Sequence, residues 1–327
     1  MRGSNWMWRI ILHVNFLFAY PIYLMLVCIS IYCYLLLFSS FLCRSVMLCY
    51  GIYIILDETP RVFGRWNERE TLRRWARNNI SYKLVRNLID IRLVRVSPML
   101  DPKHSYIFSY HPHGIIGLGV NAALATDACN FPVVFPGIKR STCTLNASFL
   151  VPFAREWFLA NGFISANKKT IVGNLKRGQS IVIVPGGASE ATHTKPGTFR
   201  LVLSQRKGFL RVARETGAYV VPCLGFGENE QFNTFASSAE SRSVLQTKLI
   251  KFFTFSLPLC MNIFPLKGNR ITVVTGKPIK IDYRYSGRGD DTESIEKFHS
   301  LYCKSIKELF DLHKRKYGAE DVNIEII

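Results

Sequence analysis

Hydrophobic residues follow two very different patterns along this chain. Between residues 10 and 56 most positions are apolar, and Arg44 is the only formal charge. At ~20 residues per crossing, this run could supply two membrane helices, with a turn near Ser39-Ser40 or around residues 30–33. A re-entrant hairpin within one leaflet fits the same pattern. We therefore predict a membrane-embedded helical hairpin over residues 1–56.

Basic residues flank this apolar run on both sides. Arg2 and Arg9 precede it, and a group of arginines follows it: Arg61, Arg65, Arg69, Arg73, Arg74 and Arg77. The positive-inside rule then places both chain ends in the cytosol. An arginine at the centre of a crossing costs ~2.5–3.5 kcal/mol on insertion scales, so we expect Arg44 to snorkel or to lie near the hairpin tip.

Residues 57–90 form a basic, helical segment. Within it, Asn67–Asn79 has the spacing of a helix, with Leu72, Trp75 and Ala76 on one side and arginines elsewhere. One interpretation is a helix that lies on the lipid headgroup surface. An ordinary helix that packs on the main domain fits equally well.

From residue 91 onward, apolar strands alternate with helical stretches. The predicted strands are Ile91–Val96, Tyr106–Tyr110, Pro132–Phe135, Ser180–Val184, Tyr219–Leu224 and Arg270–Thr275. The predicted helices are Ile115–Ala125, Val151–Asn161, Phe209–Thr216 (with Gly217 as its C-cap) and Thr292–Tyr317. This alternation predicts an α/β domain over residues 91–327, with a mostly parallel sheet flanked by helices. In the last helix, the core-facing side includes Phe298, Tyr302 and Phe310.

Composition narrows the range of partners. The 327 residues carry a formal net charge of +19, which lies almost entirely outside the apolar run. A basic surface suits an anionic membrane or a phosphate-bearing co-substrate. No nucleic-acid-binding motif is present, so we expect no nucleic acid partner. The nine cysteines include no CxxC pair, which indicates neither a zinc site nor a disulfide framework.

The most distinctive stretch is Tyr110-His111-Pro112-His113-Gly114, directly after a predicted strand. Proline fixes its own backbone angle and favours extended geometry in the preceding residue, so His111 should be held firmly. Two histidines this close could also bind a metal or pack in the core. No cysteine or further histidine lies at a spacing that would complete a zinc site, so we expect no metal.

Three later segments carry residues suited to chemistry. Gly186-Gly187 follows a strand and could leave amide N–H groups free for an anion, with Glu190 shortly after. Residues 206–214 place several cations at the start of a helix, where a phosphate could bind: Arg206, Lys207, Arg211 and Arg214. Residues 226–230, Phe-Gly-Glu-Asn-Glu, follow a strand and resemble the wall of a site.

In order and spacing, these segments together resemble the type-2 diacylglycerol acyltransferase family, which also holds monoacylglycerol acyltransferases and some wax-ester synthases. The resemblance runs from Tyr106 to Tyr317 and includes Pro196 and the Val274–Ile279 stretch. It implies a glycerolipid-acyltransferase-like fold and an enzyme of the endoplasmic reticulum membrane and lipid droplets. Acyl-CoA would be the co-substrate, diacylglycerol or monoacylglycerol the acceptor, and membrane lipid a partner. The resemblance implies no further cofactor, and it is compatible with a homo-oligomer.

The chemistry of acyl transfer suggests a role for each of these residues. The acceptor hydroxyl needs a base, and imidazole titrates near neutral pH, so we assign His111 as general base and Glu190 as its partner. Backbone amides near Gly186-Gly187 or Gly114 are candidates for stabilising the oxyanion. His113 would support the site or contact substrate, and the cations of residues 206–214 would receive the phosphates of coenzyme A.

One departure from related enzymes makes the pairing testable. Glycerolipid acyltransferases that use phosphorylated acceptors have an aspartate five residues after the histidine. Here Ile116 and Leu118 stand five residues after His111 and His113. The base must therefore find its carboxylate elsewhere, and Glu190 is the candidate. Diacylglycerol is the leading candidate for the acceptor, and monoacylglycerol or a fatty alcohol is the alternative. The non-enzymatic alternative is that the protein is a catalytically silent lipid-droplet or membrane-shaping protein.

Overall fold

The computed structural model describes residues 21–58, 70–233, 265, 268–281 and 291–327. The helices are α1 Pro21–Phe38, α2 Phe41–Leu56, α3 Glu70–Arg77, α4 Ile80–Ile89, α5 Phe131–Val134, α6 Ala154–Ala160, α7 Lys168–Lys176, α8 Gly187–Ala191, α9 Gly208–Thr216 and α10 Asp291–His313. The strands are β1 Ile91–Arg95, β2 Tyr106–His111, β3 Arg140–Thr144, β4 Phe163–Ser165, β5 Ser180–Ile183, β6 Phe199–Leu201, β7 Tyr219–Phe226, β8 Ile271–Thr275, β9 Ile279–Lys280 and β10 Ile324–Ile326.

One mixed sheet organises the domain. Its strand order is β1-β8-β7-β2-β5-β3-β4, and β9 pairs with β7. Strand β2 pairs in parallel with both β5 and β7, and β3 pairs in parallel with β4 and β5. The pairs of β7 with β8 and β9 are antiparallel. The prediction of a mostly parallel sheet flanked by helices is therefore confirmed.

Side chains of β2 alternate between two buried layers. Phe108 and Tyr110 belong to the layer that contains Phe131 and α4 residues, whereas Ile107 belongs to the layer that contains helices α7, α9 and α10. Every residue of β2 is buried, because this strand lies inside the sheet and both of its faces are covered. The period of two places Ser109 and His111 on the α10 side.

Several predicted boundaries differ from the structure. Pro132–Phe135 is not a strand: the chain turns at Asn130, which has φ of 57°, and forms the short helix α5. Pro132 lies in its first turn, where its missing N–H costs nothing, and a four-residue apolar run does not distinguish a strand from a helix. The predicted helix 115–125 exists only as a π-helix, Val120–Ala125, because Gly114 and Gly117 adopt positive φ before it.

The other differences concern element ends. Helix α6 begins three residues later than predicted, and α10 ends at His313 rather than at Tyr317. Strands β3, β4, β6, β9 and β10 were not predicted, most of them being short. Helix α9 and its left-handed cap at Gly217, with φ of 71°, are confirmed.

The apolar N-terminal region forms two helices that pack on each other. The Tyr32 hydroxyl on α1 donates a hydrogen bond to the Met47 carbonyl on α2 at 2.9 Å, and the chain turns at Ser39 and Ser40 as predicted. Residues 1–20 of the predicted hairpin lie outside the described residues. Within the described part of the chain, no helix meets the combined length and hydropathy expected of a membrane crossing.

Polar contacts join this helix pair to the α/β domain. Arg155 on α6 forms an ion pair with Asp57, just beyond α2. The Tyr50 hydroxyl donates to Glu156 at 2.5 Å and accepts from the Phe153 amide at 2.9 Å. Because these groups come from both parts, the orientation of the helix pair on the domain is defined.

Helix α3 lies in the segment that we predicted to be either on the membrane surface or packed on the domain. Residues 59–69 of this segment lie outside the described residues. Arg73 and Arg77 point inward: Arg73 donates to the Arg140 carbonyl at 3.0 Å and to the Ser141 hydroxyl at 2.9 Å. One face of α3 therefore packs on the domain, where Arg73 and Arg77 donate to the Arg140 carbonyl at the start of β3. Contact of its exposed face with the membrane surface stays a prediction.

The buried guanidinium of Arg73 should contribute more to stability than its exposed neighbour. The side chain of Arg73 is 1% exposed and that of Arg74 is 78% exposed. We expect Arg73→Ala to lower the free energy of unfolding by ~2 kcal/mol or more, since it leaves buried acceptors unpaired. Thermal unfolding of the purified protein would measure this. Arg74→Ala is the control, and an equal loss of stability in both variants would contradict the assignment.

Candidate active site

The ends of three strands bring the predicted site residues together. Strands β5, β2 and β7 are adjacent and parallel, so their carboxyl ends lie at one edge of the sheet. His111 ends β2, the Gly186-Gly187 turn follows β5, and Glu228 follows β7. Ligand sites of open α/β sheets commonly lie at this edge. Residues that are far apart in the sequence therefore lie close together at this edge of the sheet.

His111 is fully buried and has polar neighbours on both ring nitrogens. Its Nδ1 lies 3.7 Å from Glu190 Oε1, which is the distance of an electrostatic contact rather than a hydrogen bond. Its Nε2 lies 3.0 Å from the Tyr302 hydroxyl and 3.3 Å from the Ser109 hydroxyl. The peptide bond from His111 to Pro112 is cis.

Glu190 is buried on the short helix α8 and binds the backbone on two sides. It accepts hydrogen bonds from the His113 amide at 2.7 Å and from the Val202 amide at 3.0 Å. A Cβ at Gly186 would lie only 2.5 Å from Glu190 Cδ, so the carboxylate needs a glycine at that position. The predicted proximity of Glu190 to His111 is thus present in the structure, and the same carboxylate also binds the His113 amide.

His113 differs from His111 in exposure and in its defined tautomer. Its side chain is half-buried, and Nδ1 lies 3.0 Å from the Gly114 carbonyl oxygen. Because a carbonyl can only accept, Nδ1 carries a proton, and in the neutral ring Nε2 is then the basic nitrogen. Within the described residues, no cluster of three histidine, cysteine or acidic side chains could hold a metal.

Tyr302 on α10 is a site residue that sequence reasoning treated only as core. Its hydroxyl donates to Ser109 at 2.6 Å while lying against His111 Nε2. Burial raises the pKa of the Tyr302 phenol well above its ordinary value, so the group stays neutral. An inward-facing tyrosine of a long helix gives no sequence signal for this contact.

Glu228 is a second buried carboxylate whose position could not be predicted from sequence. It accepts from the Tyr110 hydroxyl at 2.7 Å and from the amides of Leu118 and Gly119 at 2.8 and 2.7 Å. The only sequence signal was an acidic residue just after a strand. The carboxylates of Glu190 and Glu228 therefore bind backbone amides on both sides of the turn that follows β2.

The glycine amides proposed for the oxyanion differ in availability. Gly187 has φ of 54°, and its N–H already donates to the Val184 carbonyl at 3.1 Å. Gly114 has φ of 62° and follows His113 directly. Gly114 and Gly186 remain the proposed oxyanion donors. Among the described residues, their N–H groups have no hydrogen bond that an oxyanion would have to replace.

The predicted cations lie along α9: Arg206 and Lys207 precede its first turn, whereas Arg214 lies in its last turn. Arg206 and Arg211 are exposed, whereas Lys207 and Arg214 are half-buried. Lys207 forms an ion pair with Glu296 on α10. The ring centroids of Phe209 and Tyr302 are 5.0 Å apart. Phe209 and Tyr302 thus connect the N-terminal end of α9 with His111.

A comparison with known families decides the classification. The model of the family described as "Diacylglycerol acyltransferase" matches residues 35–327. The chain belongs to the diacylglycerol acyltransferase family.

Several curated relatives agree with this membership. Diacylglycerol O-acyltransferase 2A of Umbelopsis ramanniana is 33% identical over 91% of this chain and 85% of its own length. Diacylglycerol O-acyltransferase 2 of Danio rerio is 34% identical over 86% and 79%. The 2-acylglycerol O-acyltransferase 1 of Bos taurus is 33% identical over 90% and 88%. The family resemblance predicted from sequence is confirmed, and its members named here are O-acyltransferases.

Among solved structures, the chain is similar to the 1-acyl-sn-glycerophosphate acyltransferase PlsC of Thermotoga maritima. The TM-score is 0.41 at 12% identity, over 81% of this chain and 97% of that one.

Proposed function

We propose that this protein transfers the acyl group of acyl-CoA to the free hydroxyl of diacylglycerol and so forms triacylglycerol. The observation that carries the proposal is the His111–Gly114 turn, held by Glu190 at the carboxyl edge of the sheet, in a chain of the diacylglycerol acyltransferase family. Acyl-CoA carries the activated acyl group, so the chemistry calls for no further cofactor.

The proposed reaction needs a base and an oxyanion donor. An imidazole removes the hydroxyl proton while the hydroxyl oxygen attacks the thioester carbonyl carbon. The tetrahedral oxyanion is stabilised by a backbone N–H from the Gly114 or Gly186 region. When the carbon–sulfur bond breaks, the imidazolium returns the proton to the departing sulfur of coenzyme A. No covalent acyl-enzyme intermediate is required.

His111 is the proposed base, with Glu190 stabilising its imidazolium. The 3.7 Å separation of Nδ1 and Glu190 Oε1 supports this pair. Nε2 is covered by the Tyr302 hydroxyl, so the acceptor hydroxyl must replace that contact. Hydrogen bonds of a catalytic base often form fully only in the substrate complex. His113 presents a basic Nε2 without such a rearrangement, and it is the residue against which His111 must be tested.

Diacylglycerol is the proposed acceptor, and 2-monoacylglycerol is the second candidate. Relatives named for each activity are similar to this chain at 33–34% identity. Neighbouring apolar acceptors differ by only ~1–3 kcal/mol per methylene in binding, so small changes in the pocket decide the choice. A fatty alcohol is the remaining acceptor to test, and self-association stays a prediction.

The cations of residues 206–214 are proposed to bind the phosphates of acyl-CoA. Arg206 and Lys207 lie at the N-terminal end of α9, where backbone N–H groups also favour anions. The contact of Phe209 with Tyr302 places this end near His111. A phosphate that binds there would compete with Glu296 for Lys207.

We propose that α1 and α2 insert into the endoplasmic reticulum membrane, with both chain ends in the cytosol and lipid droplets as a second location. The support is the exposed apolar surface of this helix pair, which includes Leu26, Leu48 and Ile52. Trp75 on α3 and Ile80 on α4 are exposed apolar side chains of the domain. Large exposed patches of this kind are typical of membrane or partner contacts.

The first prediction separates the two histidines. We expect His111→Ala to reduce the turnover of labelled acyl-CoA with diacylglycerol by ~100-fold or more, because a positioned base contributes ~10²–10⁴-fold. His104→Ala, a half-exposed histidine elsewhere, should keep activity. If His111→Ala stays active and His113→Ala does not, the base is His113. If the wild type acylates only monoacylglycerol or a fatty alcohol, the proposal of diacylglycerol as acceptor is wrong. If it acylates none of the three acceptors, the result favours the non-enzymatic role.

The second prediction concerns acyl-CoA. Removing both Arg206 and Lys207 by alanine substitution should raise the KM for acyl-CoA by ~10-fold, since charge-assisted hydrogen bonds are the strong ones. The kcat should change little. Arg315→Ala removes a similar exposed cation that pairs with Glu320, and it serves as the control. An unchanged KM in the Arg206/Lys207 double variant would disprove this phosphate site.

The third prediction concerns the membrane. Full-length wild type should stay in the membrane pellet after alkaline extraction. Combined Leu26→Asp, Leu48→Asp and Ile52→Asp substitutions should release much of the protein, because a central aspartate costs ~2.5–3.5 kcal/mol on insertion scales. A matched triple variant at exposed Val133, Leu301 and Leu312 controls for added charge. Equal retention of both triple variants would contradict insertion through α1 and α2.

A further inference from the structure

Glu228 accepts several hydrogen bonds, although the proposed acyl transfer assigns no role to this carboxylate. The side chain is 2% exposed, yet its carboxylate accepts three hydrogen bonds. Oε1 binds the Leu118 amide, while Oε2 binds the Gly119 amide and the Tyr110 hydroxyl. An ionised carboxylate can only accept, so all three donors match its ionised form.

The turn that follows His113 packs directly against this carboxylate. A Cβ at Gly114 would lie 2.6 Å from Glu228 Cγ, and a Cβ at Gly119 would lie 2.7 Å from Glu228 Oε2. Both positions therefore need glycine for the turn to approach so closely. Tyr110, whose hydroxyl completes the arrangement, directly precedes His111 in strand β2. Glu228 thus contacts the chain on both sides of the two histidines.

We propose that Glu228 is a positioning residue, which holds the turn of residues 114–119 against the end of β7 and thereby places His111 and His113 for catalysis. This inference rests on the proposed acyl transfer at that turn. Glu228 does not itself exchange a proton with substrate. Its effect is on how often the imidazoles adopt the reactive geometry, so it should change kcat more than KM.

The protonation state of Glu228 gives this role a distinct signature. Burial raises the pKa of Glu228 to about 7, and the hydrogen bonds from Tyr110, Gly119 and Leu118 act in the opposite direction. Tyr110 on β2 is the titratable side chain that contacts Glu228. Burial raises the pKa of Tyr110 well above its ordinary value, and Glu228, Cys223 on β7 and Glu190 on α8 raise it further. The turn itself contributes backbone N–H groups. When Glu228 takes up a proton below pH 7, one of its carboxylate oxygens becomes a hydrogen-bond donor. Its contacts with the N–H groups of the turn therefore weaken.

Stability should respond to pH in the opposite sense to activity. The pKa of Glu228 in the folded protein lies above its ordinary value of 4.5, so the folded state binds the proton more tightly than the unfolded state. This group therefore adds stability as the pH falls through 7 towards 4.5. A loss of activity over the same range cannot then be attributed to unfolding at this residue.

The test compares Glu228→Gln with wild type in the diacylglycerol and acyl-CoA assay. Glutamine keeps the volume but presents an NH2 group to a donor, so we expect kcat to fall by ~10-fold or more. The KM for acyl-CoA should change by less than about twofold, since the phosphate site is separate. Glu156→Gln is the matched control, because Glu156 also accepts from a tyrosine hydroxyl, Tyr50, away from the site.

A milder variant provides the pH readout. Tyr110→Phe removes one donor that lowers the pKa of Glu228, so the acid limb of the kcat profile should move to higher pH. Glu228→Gln should abolish the contribution of this group to that limb. A wild-type kcat in Glu228→Gln together with an unchanged acid limb in Tyr110→Phe would overturn the inference. If Glu228→Gln is poorly folded, a wild-type kcat and an unchanged acid limb in Tyr110→Phe would overturn it alone.

Hydrogen exchange separates failure of this inference from failure of the proposed function. In wild type the amides of Leu118 and Gly119 should be protected, and Glu228→Gln should raise their exchange rates by ~10-fold or more. If wild type makes no triacylglycerol, the proposed function fails and the exchange rates alone decide the positioning role. If exchange is unchanged in Glu228→Gln, the turn is not held by this carboxylate.

Discussion

The pairing of β2 with a parallel strand on each side determines where this protein places its chemistry. His111 lies opposite Leu224 of β7, and Ser109 lies opposite both Pro222 of β7 and Ile183 of β5. Because side chains alternate along a strand, a shift of one residue would turn Ser109 and His111 to the opposite face of the sheet. The contact with Tyr302 would then be impossible. Every contact of the candidate site therefore depends on this register, which the buried sheet sets.

Two buried carboxylates then shape the chain that leaves β2. Glu190 reaches the turn from the β5 side and binds the His113 amide, while Glu228 reaches it from the β7 side and binds Leu118 and Gly119. Removing a carboxylate from water is costly unless hydrogen bonds and opposite charge compensate. Here the donors are mainly backbone N–H groups of the turn itself. The stability of these carboxylates and the geometry of the histidines therefore depend on the same hydrogen bonds.

Much of the fold could be predicted because long apolar strands and glycine-rich ends give local signals. The same reasoning failed for Pro132–Phe135, where a left-handed Asn130 and a proline in the first turn produced a helix from a strand-like run. The pair of His111 and Glu190 could be predicted from the family resemblance. Tyr302 could not, since its contact depends on how a helix far along the chain crosses the sheet. The Glu228 contacts depend likewise on tertiary packing rather than on local sequence.

The inward-facing arginines of this protein limit how much of its positive charge can contact an anion directly. Arg73, Arg77, Arg140 and Arg155 are buried and bind carbonyl groups or carboxylates within the protein. An ion pair such as Arg155–Asp57 contributes nothing to the net charge, so the +19 is the excess that remains after such pairs cancel. Buried guanidinium groups can add to the long-range attraction of an anion, but they cannot reach it for a direct contact. A phosphate that arrives at this protein must therefore be bound by exposed cations, such as Arg206 and Arg211, and not by the arginines inside the domain.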